Sequence, residues 1–142
     1  MDRKKLQDIA KTRLDDAKAL LGRKRWSGAY YLCGYAVECA LKSCLLRHLG
    51  ESGSVFGDQL YLKKLAECWT HDLVKLVSLA GLDADFGAAR GSNPILAAYW
   101  GVTKDWKETS RYEEWTEIDA KALYEAVCDK PDGVFQWIRT RW

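Results

Sequence analysis

Between residues 27 and 49 the chain sets Ala29, Leu32, Cys33, Ala36, Val37, Ala40, Leu41, Cys44, Leu45 and Leu49 at close helical spacing, with no proline among them. Steps of three and four bring side chains onto one face of a helix, and a face this broad must be covered by several neighbours. The segment therefore predicts a long central helix, the most buried of its fold. A partner precedes it: Leu6, Ile9, Ala10, Leu14, Ala17, Leu20 and Leu21 recur at the same spacing with Lys, Arg and Asp between them. Gly22, just past that pattern, is the expected left-handed C-cap. Two prolines and 11 glycines in 142 residues are too few turn residues for an all-β fold. The expected architecture is all-α, an up-and-down bundle of four to five helices. Residues 1–142 should form one domain, since a chain of this length rarely holds two cores.

Further along, GESGSVFGD, residues 50–58, reads as the clearest loop, and a short helix is expected through Leu60, Leu62, Leu65 and Ala66. Thr70 offers a cap for a helix that buries Leu73, Leu76, Val77 and Ala80 and ends at Gly81, which puts His71 in its first turn. DADFGAARG, residues 83–91, reads as a second long loop. Ser92, Asn93 and Pro94 make a helix start, because proline lacks only an N–H that a first turn does not use. Leu96, Tyr99, Trp100, Thr103 and Trp106 follow at helical spacing, then a polar segment. Thr116 with Asp119 resembles a capping box opening a helix through Ala120, Leu123, Tyr124 and Val127. Pro131-Asp132-Gly133 interrupts it before the closing VFQWIRTRW. Gly34, inside the central helix, costs about 1 kcal/mol relative to alanine and is expected where another element approaches closely.

Lys and Arg number 22 against 20 acidic residues, a formal charge of +2 that is too balanced to advertise a polyanion partner. The basic N-terminal stretch lacks the apolar core of a secretory signal, and no run approaches a membrane span, so a cytoplasmic protein without membrane contact is expected. Five cysteines, an odd number with no CxxC pair, fit reduced thiols. Seven Trp, seven Tyr and three Phe are more than one small core easily conceals, which predicts a homodimer burying some of them.

On the opposite edge of the central helix Tyr31, Tyr35, Glu38 and Lys42 form a second stripe, spaced four, three and four residues apart. The runs AYYLCGYAVECALKSCLLRHLG, THDLVKLVSLAGL, SRYEEW and DGVFQWIRTRW together resemble the HEPN domain family of prokaryotic helical proteins, from about residue 5 to the C-terminus. GYAVECALK, residues 34–42, is the most specific piece. The resemblance implies a helical bundle, commonly dimeric, with one of two activities. Many such proteins resemble metal-independent ribonucleases whose active site is an Arg followed four to six residues later by a His, facing a dimer cleft. Others lack that motif and act as nucleotide-binding or regulatory modules, often beside a small nucleotidyltransferase in toxin–antitoxin or defence systems.

Here the motif is incomplete. No Arg stands at the required distance before His48 or His71, and Arg111, where the family often carries its Arg, is followed through Ile118 by no His. A metal-independent ribonuclease needs a positioned acid or base, for which His is the usual choice. The expected ligand-binding set is therefore Tyr31, Tyr35, Glu38, Lys42 and Arg111, with His71 and Tyr112 as further candidates and no catalytic residue. Tyrosines and Arg suit base stacking and a phosphate. The structural alternatives are an i,i+4 surface pair for Glu38 and Lys42, packing for the tyrosines, a hydrogen-bonded first-turn His71, and an ion pair from Arg111 to Glu38, Glu113 or Glu114. His48 and Cys44 stand four residues apart but lack a second ligand pair, and no cofactor motif occurs, so neither metal nor cofactor is expected. The expected function is a noncatalytic nucleotide- or protein-binding module, with nucleotide or RNA as the small partner. The alternatives are a diverged ribonuclease drawing a histidine from elsewhere in the fold, and a purely structural interaction module.

Overall fold

The computed structural model describes residues 2–51 and 66–142. Gly50 and Glu51 continue the central helix; the rest of the loop expected at 50–58, and the helix expected through Leu60, Leu62 and Leu65, lie outside the described residues. Among the described residues there are seven α-helices, one 3-10 turn and no strand.

Helix α1, Arg3–Gly22, begins where Asp2 caps it by accepting the Lys5 backbone N–H at 2.8 Å, and buries Leu6, Ala10, Leu14 and Ala17. It packs along α2, Trp26–Glu51, which also touches Leu73–Leu79, Glu108–Tyr112, Glu117–Cys128 and Val134–Ile138. The turn between them departs from expectation. Lys24 N–H donates to Leu21 O at 3.1 Å and Arg25 N–H to Leu20 O at 2.8 Å, the two bonds of a Schellman motif. That pattern places the reversal at Lys24, φ 59°, so Gly22 stays helical and a residue with a Cβ takes the left-handed conformation.

Helix α3 spans Leu73–Leu79, and its N-cap is Asp72, which accepts Lys75 N–H at 3.1 Å. Thr70 instead accepts the Asp72 N–H at 3.2 Å, two residues too early to cap, so His71 sits ahead of the helix rather than in its first turn. Gly81, φ 71°, ends this element as expected. The segment read as a loop, DADFGAARG, is helix α4, Asp83–Ser92. Asp83 and Asp85 meet the positive end of its dipole, Arg90 the negative end, and Phe86 anchors it against Trp100 and Trp137. Tertiary burial of one large ring outweighs the two glycines.

Asn93 caps α5, Pro94–Thr103, with Pro94 in its first turn. A 3-10 turn, Glu108–Tyr112, follows; then the capping box of Thr116 and Asp119 opens α6, Glu117–Cys128, and α7 is Val134–Ile138. Five helices have ten residues or more, in accord with the expected bundle. The buried side chains of all seven helices join in one apolar cluster. Most of the described aromatic rings are spent there, leaving only Trp69 and Tyr112 largely exposed. All five cysteines are free thiols. Among the described residues no helix is long and apolar enough to cross a membrane.

The close approach expected at Gly34 is made by Trp106: a Cβ on Gly34 would stand 2.2 Å from the indole ring, which is itself buried. Gly34→Ala therefore gains less than about 1 kcal/mol of helix propensity while overpacking costs about 1–3 kcal/mol. Urea denaturation should show a net loss. Lys24→Gly, relieving the left-handed lysine, should raise stability by about 1 kcal/mol in the same assay.

Candidate functional site

The site grows from the stripe on α2. Glu38 is only 2% exposed, too deep for a carboxylate without partners. Its Oε1 accepts from Lys42 Nζ at 2.9 Å, one helical turn on, and lies 2.9 Å from His71 Nδ1. His71 reaches it from the turn before α3, held between the Thr70 contact and the Asp72 cap. The other ring nitrogen, Nε2, lies 3.2 Å from Glu108 Oε2, and Glu108 Oε1 takes Arg111 Nη2 at 3.3 Å. Three separate stretches of chain thus meet in one line of charges: Lys42, Glu38, His71, Glu108, Arg111.

Arg111 stands 4.9 Å from the centre of the Tyr112 ring. Hydrogen bonds to Tyr112 and then Tyr31 keep its guanidinium protonated beyond the ordinary arginine range. Tyr31 stacks on Tyr35 with ring centres 6.2 Å apart and leans on Trp106. Burial, followed by the nearby Cys39, pushes the Tyr35 phenol up to about 12. Every residue of the expected set is therefore found in or beside this one cluster.

Two readings change. Arg111 pairs with Glu108, not with Glu38, Glu113 or Glu114, and Glu38–Lys42 is not a surface pair. Sequence reasoning also missed two members. Glu108 stands three residues before Arg111, a spacing that brings side chains together on a tight helical turn, but the polar segment around it gave no helical period to read. Trp69 is 81% exposed and lines a groove of about 340 Å³ that Glu38 and Lys42 also line; no spacing signal marks it.

The two halves of the charge line differ in character. Carboxylate oxygens only accept, so both His71 contacts are hydrogen bonds only when the ring carries both protons, giving three cations against two carboxylates. Lys42 and Glu38 are enclosed and fixed, whereas Glu108 and Arg111, at 32% and 43% exposure, form a pair that solvent screens. An incoming anion can replace Glu108 on Arg111 and His71 at small cost. The enclosed half cannot exchange in this way. Among the described residues no group of three His, Cys, Asp or Glu is placed to hold a metal ion.

The same contrast sets stability. Lys42→Ala strips a partner from a buried carboxylate and should cost about 3 kcal/mol, whereas Arg111→Ala, which removes a solvent-screened pair, should cost much less. Denaturant midpoints of the two variants compare them directly. Equal losses would contradict the division between a fixed and an exchangeable half.

Comparison with known proteins gives one match. No curated protein and no solved structure matches the chain. The family model of the HEPN domain matches residues 4–56. That stretch includes the α1–α2 hairpin, which supplies Tyr31, Tyr35, Glu38 and Lys42 to the site. Over residues 4–56 the chain is similar to the HEPN domain family.

Proposed function

We propose that the protein is a noncatalytic nucleotide-binding module, with residues 1–142 working as one cytoplasmic domain in a prokaryotic toxin–antitoxin or defence-type system. It acts as a homodimer and regulates a partner protein such as a nucleotidyltransferase. The observation that carries the nucleotide reading is the meeting of the Glu38–Lys42 pair with His71 and, through Glu108, with Arg111. Arg111 offers a forked donor to a phosphate, His71 a ring N–H beside it, and Glu108 yields its place. Two exposed rings flank the charges: Tyr112, 76% exposed, beside Arg111, and Trp69 beside Glu38. Exposed rings next to cations suit bases, which stack without regard to sequence. The family match over residues 4–56 supports the helical fold; the charge line supports the ligand.

One observation favours a second reading, a diverged HEPN ribonuclease. His71, drawn from a different part of the chain, shares Glu108 with Arg111 and is held at both ring nitrogens by carboxylates. A positioned imidazole beside a phosphate-binding Arg is what proton transfer during RNA cleavage requires.

Calorimetric titration with AMP and with a short single-stranded RNA tests the first reading. Saturable binding is expected, weakened by about tenfold in Arg111→Ala with little change in melting temperature. A parent protein that binds neither ligand overturns it. Incubating RNA with the protein in EDTA tests the second: no cleavage above background is expected. Cleavage lost in both His71→Ala and Arg111→Ala would make the protein a nuclease.

A further inference from the structure

We infer that the groove beside Glu38 reads the amino group of a nucleobase, taking adenine, cytosine or guanine in preference to uracil. The inference rests on the nucleotide-binding reading above and adds to it the part of the ligand that is selected. The groove, about 340 Å³, is lined by Tyr35, Leu45, Leu46 and Trp69, with Glu38 and Lys42 as its charged members. Apolar and aromatic walls with a few polar groups are what a flat heterocycle finds favourable, and the volume holds one comfortably. The polar end is incomplete as it stands. Glu38 Oε1 is engaged by Lys42 and His71, but Oε2 is buried and has no hydrogen-bond partner.

A buried carboxylate oxygen without a donor is costly, and the few such atoms in folded proteins call for an explanation. The adjoining groove supplies one: the missing donor arrives with the ligand. The oxygen is closed to solvent in the free chain, yet Trp69, one wall of the groove, is 81% exposed, so few contacts resist its turning aside to admit a ring. What enters must donate. Adenine, cytosine and guanine each carry an exocyclic amine, whereas uracil flanks its single N–H with two carbonyls whose lone pairs would face the carboxylate. Glu38, which lines the groove, also holds His71 through its Oε1.

Titrating the full chain with AMP, CMP, GMP and UMP separates the possibilities. The first three should bind at least about tenfold more tightly than UMP, the loss expected when a charged acceptor finds no donor. Glu38→Gln, checked for folding by circular dichroism, should narrow or reverse the CMP-to-UMP ratio, because its amide offers uracil a donor. Trp69→Ala should weaken AMP, CMP and GMP by similar factors. Equal affinity of the parent chain for CMP and UMP, with binding still weakened in Arg111→Ala, overturns the inference and leaves the nucleotide reading standing. No binding of any nucleotide overturns both. The CMP and UMP comparison needs no variant, so it decides the matter even if Glu38→Gln fails to fold.

Discussion

A carboxylate set 2% exposed on the most enclosed helix of the bundle is the constraint around which this molecule is arranged. Burying an unpaired charge costs far more than a domain of this size can spare, so Glu38 must be met by cations wherever it lies. Lys42 meets it from the next turn of α2, a contact that helical spacing alone provides. His71 meets it from the turn before α3, and that contact is tertiary: it ties this turn to α2. One buried oxygen thus couples secondary structure, topology and the charges of the candidate site.

The exposed half of the site is placed by packing rather than by charge. Trp106 lies against the bare backbone of Gly34, and the Trp115 ring stacks on Tyr30 with centroids 3.8 Å apart. Trp115 is also tied at both its nitrogens, the backbone N–H to Ser27 Oγ and the indole N–H to Ser110 O. Between these two indoles runs the 3-10 turn that carries Glu108 and Arg111. A short turn with little stability of its own is thereby clamped to α2 at both ends. Rigid placement of this kind matters for recognition, because a preorganised guanidinium loses less entropy on binding.

Much of this was legible in the sequence, and what was not has physical causes. The long helices were visible because a broad apolar face repeats many times in α1 and α2, and the capping box at Thr116 carries its own signature. Helix α4 was hidden by two glycines and by polar residues, since a single buried ring, Phe86, supplies its tertiary hold and leaves no period to detect. Lys24 in the left-handed region was unforeseeable while Gly22 stood nearby as the better candidate. In the site, Tyr31, Tyr35, Glu38 and Lys42 shared a helix and so a readable spacing. That His71 lies beside them rests on its contact with Glu38, and that Arg111 joins rests on the contact of Glu108 with His71, tertiary contacts that no local pattern encodes.

If the protein binds a nucleotide as proposed, His71 and its neighbours form the ligand end of the molecule. The chain contains two histidines, His48 and His71, and only His71 contacts this charge line, while His48 packs over Gly81 in another region. Imidazole resonances followed by NMR during an AMP titration test the claim most directly. The account predicts that the His71 ring signals shift saturably while those of His48 stay in place. Unmoved His71 signals at saturating nucleotide, or shifts confined to His48, would contradict it.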